Sequence, residues 1–170
     1  MNINLKKIFI SKKKNGIKFL FMFLFIVLFF FIDQYIKSLS LAYPYKYCFT
    51  KWLCFELYKH TKFYFGQFNI ENWFSVFFFI DLLLFIILIY IINHIVFTKP
   101  NLYNIYIILL FSGIASNFYD KYYYKYVVNY LVLILKGTRI SCFNLADIYI
   151  VLGVIGLCNL KLKMNSLKFV

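Results

Sequence analysis

The chain has 170 residues, 64% of them hydrophobic, with 23 Phe and 16 Tyr, and a mean hydropathy of +0.77. A soluble domain is about half apolar, so this composition points to lipid, and the length suits one domain. The formal charge of +13 does not indicate a nucleic-acid partner, because no basic patch is interleaved with a soluble motif.

The lysines cluster instead beside apolar runs. Lys6, Lys7, Lys12, Lys13 and Lys14 precede the first run, Lys18 stands at its start, and Lys161, Lys163 and Lys168 follow the last. That is the positive-inside pattern, which places both termini in the cytoplasm. Lys46, Lys51, Lys59 and Lys62 run against it, in a loop assigned to the outside. The excess of Phe, Tyr, Ile, Lys and Asn fits drift toward AT-rich codons, so the aromatic count alone carries no functional meaning.

The first apolar run, Ile17 to Ile32, covers about 24 Å as a helix, nearly a hydrocarbon core. With the charged pair that follows it, the span is placed at 17–37. A cleaved signal peptide ending at Ser38-Leu39-Ser40 is the competing reading; the length of the run and its charged end argue against it. Residues 40–72 are mixed and polar and read as an outer segment with short strands. Spans follow at 73–97, interrupted by Asp81, and at 102–119, with a tight turn at Lys99-Pro100. Residues 120–142 form a second outer segment, whose apolar stretch Tyr126 to Leu135 is too short for a spanning helix. The last span is 143–160. The expected architecture is an all-α membrane protein: one domain over 1–170, four transmembrane helices and a small extracytoplasmic β-rich part.

Only six residues are acidic: Asp33, Glu56, Glu71, Asp81, Asp120 and Asp147. An acid in an apolar span needs a reason to be there. With four spans, the first and third end outside at Asp33 and Asp120, and the fourth starts outside near Asp147. Three carboxyls are therefore expected at one membrane face. Asn117 and Asp120, and again Asn144 and Asp147, stand at i and i+3, which puts an amide beside a carboxyl on one helix face. Asp33 and Lys37 stand at i and i+4 and can pair, more simply as structure than as catalysis. Paired carboxyls can hydrolyse a peptide when one is ionised and one protonated, a state that close like charges favour. Asn side chains can hold such groups in place. His60 and His94 are read as incidental, Asp81 is given no role, and Gly153 and Gly156 read as close packing of helices. Cys48, Cys54, Cys142 and Cys158 have no metal-ligand spacing; a Cys48–Cys54 disulfide is open.

The motif FIDQYIK at 31–37, with Asp33 and Lys37, resembles the DQxxK motif of lipoprotein signal peptidases. The segment from Ser112 to Lys121 resembles their GGxxGNxxDR block, VVNY at 127–130 their VVDF, and FNLAD at 143–147 their FNxAD. Glu56 to Gly66 keeps only Phe65-Gly66 of a further family stretch, with His60 and Lys62 at its Asn and Gly positions. The motifs run in order from Asp33 to about Gly156. The resemblance implies a four-helix bacterial inner-membrane aspartic endopeptidase that removes signal peptides from diacylglyceryl-modified prolipoproteins, just before the lipidated cysteine. It implies no metal and no cofactor, with membrane lipids and the lipidated substrate as partners of a monomer.

The family's two catalytic aspartates fall on Asn129 and Asp147. An amide cannot accept a proton as a base. Asp120 is the candidate second acid, with Asp33, Lys37, Asn117, Lys121 and Asn144 as supporting residues. Lys121 replaces an arginine and loses its bidentate fork, and Ser112 and Ser116 replace glycines. A degenerate relative that binds prolipoproteins but cuts them slowly, and a small transporter subunit using intramembrane acids, are the competing functions.

Overall fold

A computed structural model describes residues 3–60 and 101–166, with the helical positions Phe79, Leu82, Leu83 and Ile86. For 3–15, 60, 101 and 163–166 only the backbone is described. Apart from those four positions, the expected span 73–97, with Asp81 and His94, lies outside the described residues, as do the Lys99-Pro100 turn and Phe65-Gly66.

Helix α1 runs Ile3–Ala42. It has no internal proline and stops just before Tyr43-Pro44, where proline disfavours helical backbone in the residue preceding it. Strands β1 (Tyr47–Cys48) and β2 (Leu53–His60) follow. Helix α2 is Asn101–Tyr124, and Lys125 then turns left-handed at φ 63°, as chains commonly do past a helix end. Strands β3 (Val127–Leu135) and β4 (Thr138–Phe143) form a hairpin. Its two-residue turn, Lys136-Gly137, has both φ values positive, 50° and 80°, the turn geometry that matches strand twist. Helix α3 is Leu145–Ser166.

Three helices among the described residues are long and apolar enough to cross a membrane: Gly16–Ala42, Leu102–Tyr124 and Leu145–Leu162. The described residues thus hold three candidate spans of a membrane protein, and they correspond to the first, third and fourth of the expected spans. The expected boundaries shift. The first span extends to Ala42, the third helix runs five residues past 119 to Tyr124, and the last helix starts at Leu145 rather than 143.

Beside the helices lies the small β-rich part that was expected. The strands form one antiparallel sheet in the order β1-β2-β3-β4, so the 120–142 segment is largely a hairpin. In register, Cys48 faces Cys54, Tyr58 faces Asn129 and Val132 faces Cys142. Cys48 and Cys54 are joined by a disulfide. The sheet has its own buried side chains, Cys54, Val128, Tyr130 and Val132, and β3 packs on both α1 and α2. Farther along the bundle, Met22, Tyr103, Ile107, Ile108 and Phe111 pack together.

Helices α2 and α3 approach closely because three glycines allow it. A Cβ on Gly113 would strike the carbonyl oxygen of Ala146 and come within 2.8 Å of Ile150. One on Gly153 would lie 2.8 Å from Leu110 Cβ, and one on Gly156 would enter the Tyr106 ring. This contact holds the start of α3 against the middle of α2.

Candidate active site

The C-terminal ends of α1 and α2, the N-terminal end of α3 and strand β3 meet at one place, and a set of buried polar residues gathers there. They form two linked groups.

The first is an ion cluster. Lys37 Nζ lies 2.7 Å from Asp33 Oδ2 and 2.8 Å from Asp120 Oδ2, and all three residues are 0% exposed. Burying two carboxylates with one ammonium is costly unless hydrogen bonds satisfy the remaining lone pairs. Here they do. Asp33 accepts from Ser116 Oγ (2.6 Å), Tyr130 OH (2.8 Å) and the backbone N–H of Ala146 (3.2 Å). Asp120 accepts from Gln34 Nε2 (2.8 Å) and the N–H of Val128 (3.0 Å). Tyr130 OH also accepts from the N–H of Leu145 at 2.9 Å. Burial, and then the charge of Asp33, push the Tyr130 phenol far above its ordinary range, so it stays a neutral donor.

The second group surrounds Asp147. Asn144 is the N-cap of α3, and FNLAD is a capping box. Asn144 Oδ1 accepts from the N–H of Asp147 (2.9 Å), and Asp147 Oδ2 accepts from the N–H of Asn144 (3.1 Å). The carboxyl's other oxygen accepts from Asn117 Nδ2 at 2.8 Å. Both partners are donors, which suits the acceptor-only inventory of an ionised carboxylate. Asp147 is half-buried, unlike the sealed Asp33 and Asp120.

Asn117 joins the groups: its Oδ1 accepts from Lys37 Nζ (3.1 Å) and from Asn144 Nδ2 (3.0 Å). Asn144 Nδ2 also reaches Val128 O (3.1 Å) and Asn129 Oδ1 (3.0 Å). Asn129 Nδ2 donates to Cys142 O at 3.2 Å. Asn129 and Asp147 therefore both hang on Asn144.

The structure brings Asp33, Lys37, Asn117, Asp120, Asn129, Asn144 and Asp147 into one network, with Lys121 in the last turn of α2. It does not bring Asp120, the candidate second acid, to Asp147. The Asp120 carboxyl is taken by Lys37, Gln34 and Val128. Glu56 pairs with Arg139 (2.6 Å) and Lys46 (3.2 Å) on the sheet. Among the described residues, no other carboxyl bonds Asp147. Sequence reasoning missed Gln34, Ser116 and Tyr130, although a hydroxyl in an apolar stretch demands a partner. It also took Asn144 and Asp147 as one helix face and overlooked the capping-box spacing.

A family model described as Signal peptidase (SPase) II matches residues 25–162. Two solved structures described as a bacterial membrane enzyme share the fold. One, determined by the in meso method at 2.3 Å, is 23% identical with a TM-score of 0.71, covering 86% of this chain and 90% of that one. The other, at 1.9 Å, is 22% identical with a TM-score of 0.70, covering 84% and 92%. No curated protein matches the chain by sequence.

Proposed function

Because the chain belongs to the signal peptidase II family, whose members are lipoprotein-processing membrane peptidases, we propose that it removes the signal peptide from diacylglyceryl-modified prolipoproteins, before the lipidated cysteine. Asp147 is the group that moves the proton. The observation that carries this is the setting of Asp147: a half-buried carboxyl, oriented by two donors, at the end of the bundle where the helices meet the sheet. A general base must be fixed yet reachable by substrate and water, and Asp147 meets both conditions. The sealed Asp33–Lys37–Asp120 cluster meets only the first, so we assign it to holding the helix ends together.

The reading places the site at the outer face of a bacterial inner membrane, both termini in the cytoplasm. The Cys48–Cys54 disulfide supports an oxidising side for the sheet, and the lysines flanking the first and last spans support the orientation. The enzyme acts as a monomer, without metal or cofactor, on a substrate presented from the lipid. Turnover is slow, because Asn129 stands where the family has its other catalytic aspartate.

The test is cleavage of a synthetic diacylglyceryl-modified precursor peptide by the purified, detergent-solubilised protein, with products identified by mass. A cut immediately before the lipidated cysteine supports the reading. Absence of this cut, both in the protein as it stands and in Asn129→Asp, overturns it.

A further inference from the structure

Position 129 is built for a neutral group. One side of its planar head meets a donor, Asn144 Nδ2 at 3.0 Å; the other meets an acceptor, Cys142 O at 3.2 Å. An ionised carboxylate would set an oxygen against the Cys142 carbonyl. An amide fits both sides, as would a protonated carboxyl. Asn129 thus has the shape and bonding of the protonated half of a carboxyl pair, with one difference: it never gives its proton up. Its Nδ2 carries two hydrogens, and among the described residues only Cys142 O accepts from it. The second N–H has no acceptor among the described residues, and Asn129 keeps 5% of its surface exposed, whereas Asp33 and Asp120 keep none.

We propose that Asn129 is a catalytic hydrogen-bond donor to the scissile carbonyl, and that Asp147 alone carries the proton through both halves of peptide hydrolysis. This rests on the peptidase reading above. In the first half, the Asp147 carboxylate takes a proton from water while the water oxygen bonds to the carbonyl carbon. The carbonyl π pair moves onto oxygen, and the Asn129 N–H holds that oxyanion. In the second half, the oxyanion pair reforms the C=O bond and the C–N bond breaks. The proton on Asp147 passes to the leaving nitrogen. One water is consumed, an acid and an amine are released, and Asp147 is again ionised. No group other than Asp147 changes its protonation.

That difference is measurable. A pair needing one ionised and one protonated carboxyl has a bell-shaped pH dependence. A site with one working carboxyl and an amide keeps only the acid limb. The charged and titratable groups around Asp147 do not restore the other limb. From α1, Asp33 and Lys37 are paired to each other; from α2, Asp120 is paired to Lys37. Burial raises the Tyr130 phenol on β3 and the Cys142 thiol on β4 above their ordinary values. On α3 itself the neighbour is Tyr149, which is buried.

The experiment measures kcat/KM against pH for the full-length protein, Asn129→Asp and Asn129→Ala, using the diacylglyceryl-modified precursor peptide. The expected wild-type profile rises with pH to a plateau. Asn129→Asp is faster at its optimum and falls again on the alkaline side. Asn129→Ala lowers kcat by about 10²- to 10³-fold, the usual cost of one oxyanion donor, with little change in KM. An unchanged KM also shows that this variant is folded. A wild-type profile with the same alkaline fall as Asn129→Asp overturns the proposal, as does an alanine variant as fast as wild type. A wild type inactive at every pH beside an active Asn129→Asp overturns it and leaves the peptidase reading standing. If none of the three cuts at any pH, the peptidase reading falls and this proposal with it.

Discussion

Lys37 and Asp120 come from different helices and meet as an ion pair at 2.8 Å, with neither exposed. The same ammonium holds Asp33 at 2.7 Å, so one cation is shared by two buried carboxyl groups and ties α1 to α2. Lys37→Met should therefore be among the most damaging single substitutions in the chain. Removing one partner of a buried pair costs about 3–5 kcal/mol, because the remaining charge is left uncompensated. The triple variant Lys37→Met, Asp33→Asn, Asp120→Asn should be more stable than Lys37→Met alone. Thermal unfolding in detergent measures both; a triple variant weaker than the single one would mean that charge is not what the cluster balances.

Asp147→Asn keeps an acceptor for the N–H of Asn144, so the capping box survives and the helix start should hold, while its amide nitrogen gives up the bond from Asn117 Nδ2. The loss is chemical. Cleavage of the lipidated peptide should drop by about 10²- to 10⁴-fold, the usual contribution of a general acid–base group, while membrane insertion is unchanged. Cleavage at the wild-type rate would remove Asp147 from the mechanism.

These expectations show where the sequence was readable. Hydropathy exposed the three described spans, since a lipid-crossing helix must be apolar over its length. Spacing exposed Asp33 with Lys37, and Asn144 with Asp147, because both pairs are local in the chain. The bond from Lys37 to Asp120, and those from Tyr130 to Asp33 and Leu145, were not readable. They join elements distant in the chain, and no periodicity records which of several acids a lysine will meet. The sheet was half readable: the stretch at 126–135 was too short to span, but the β2–β3 pairing that sets Tyr58 opposite Asn129 is fixed only by tertiary packing.

Orientation has its own test. The Lys136-Gly137 turn at the tip of the β3–β4 hairpin should lie outside, and the lysine-rich start of α1 inside. With Cys142 and Cys158 replaced, Lys136→Cys should react with a membrane-impermeant maleimide in intact cells. Lys12→Cys should react only after the cells are opened. The reverse result would invert the topology.

Gly113 has no room for a side chain, because its Cβ position is filled by the carbonyl of Ala146 and by Ile150. Gly113→Ala must push the first turn of α3 away from α2. Overpacking of this kind costs about 1–3 kcal/mol. Since Ala146 adjoins Asp147, kcat should also fall more than stability alone would require. Gly16→Ala, where a Cβ meets nothing within 4 Å, is the control and should leave both unchanged.

Tyr130 links the ion cluster to the helix that carries Asp147, donating to Asp33 and accepting from the N–H of Leu145. Tyr130→Phe removes only the oxygen. Leu145 then loses its acceptor, and Asp33 loses a donor inside a sealed cluster. Leaving such groups unsatisfied costs about 1–3 kcal/mol. The pH dependence has a definite sign. The unfolded chain releases a tyrosine proton near the ordinary value of 10.0, while burial and the Asp33 charge make the folded protein retain it. Above that value the folded state binds more protons than the unfolded one, so stability falls as pH rises. The contribution is fully present below about 10 and declines above it. The stability gap between wild type and Tyr130→Phe should therefore be flat with pH up to about 10 and narrow beyond. Chemical denaturation in detergent across that range measures the gap. A gap that widens above 10 would mean that Tyr130 ionises more readily in the fold than outside it, against the geometry of its partners.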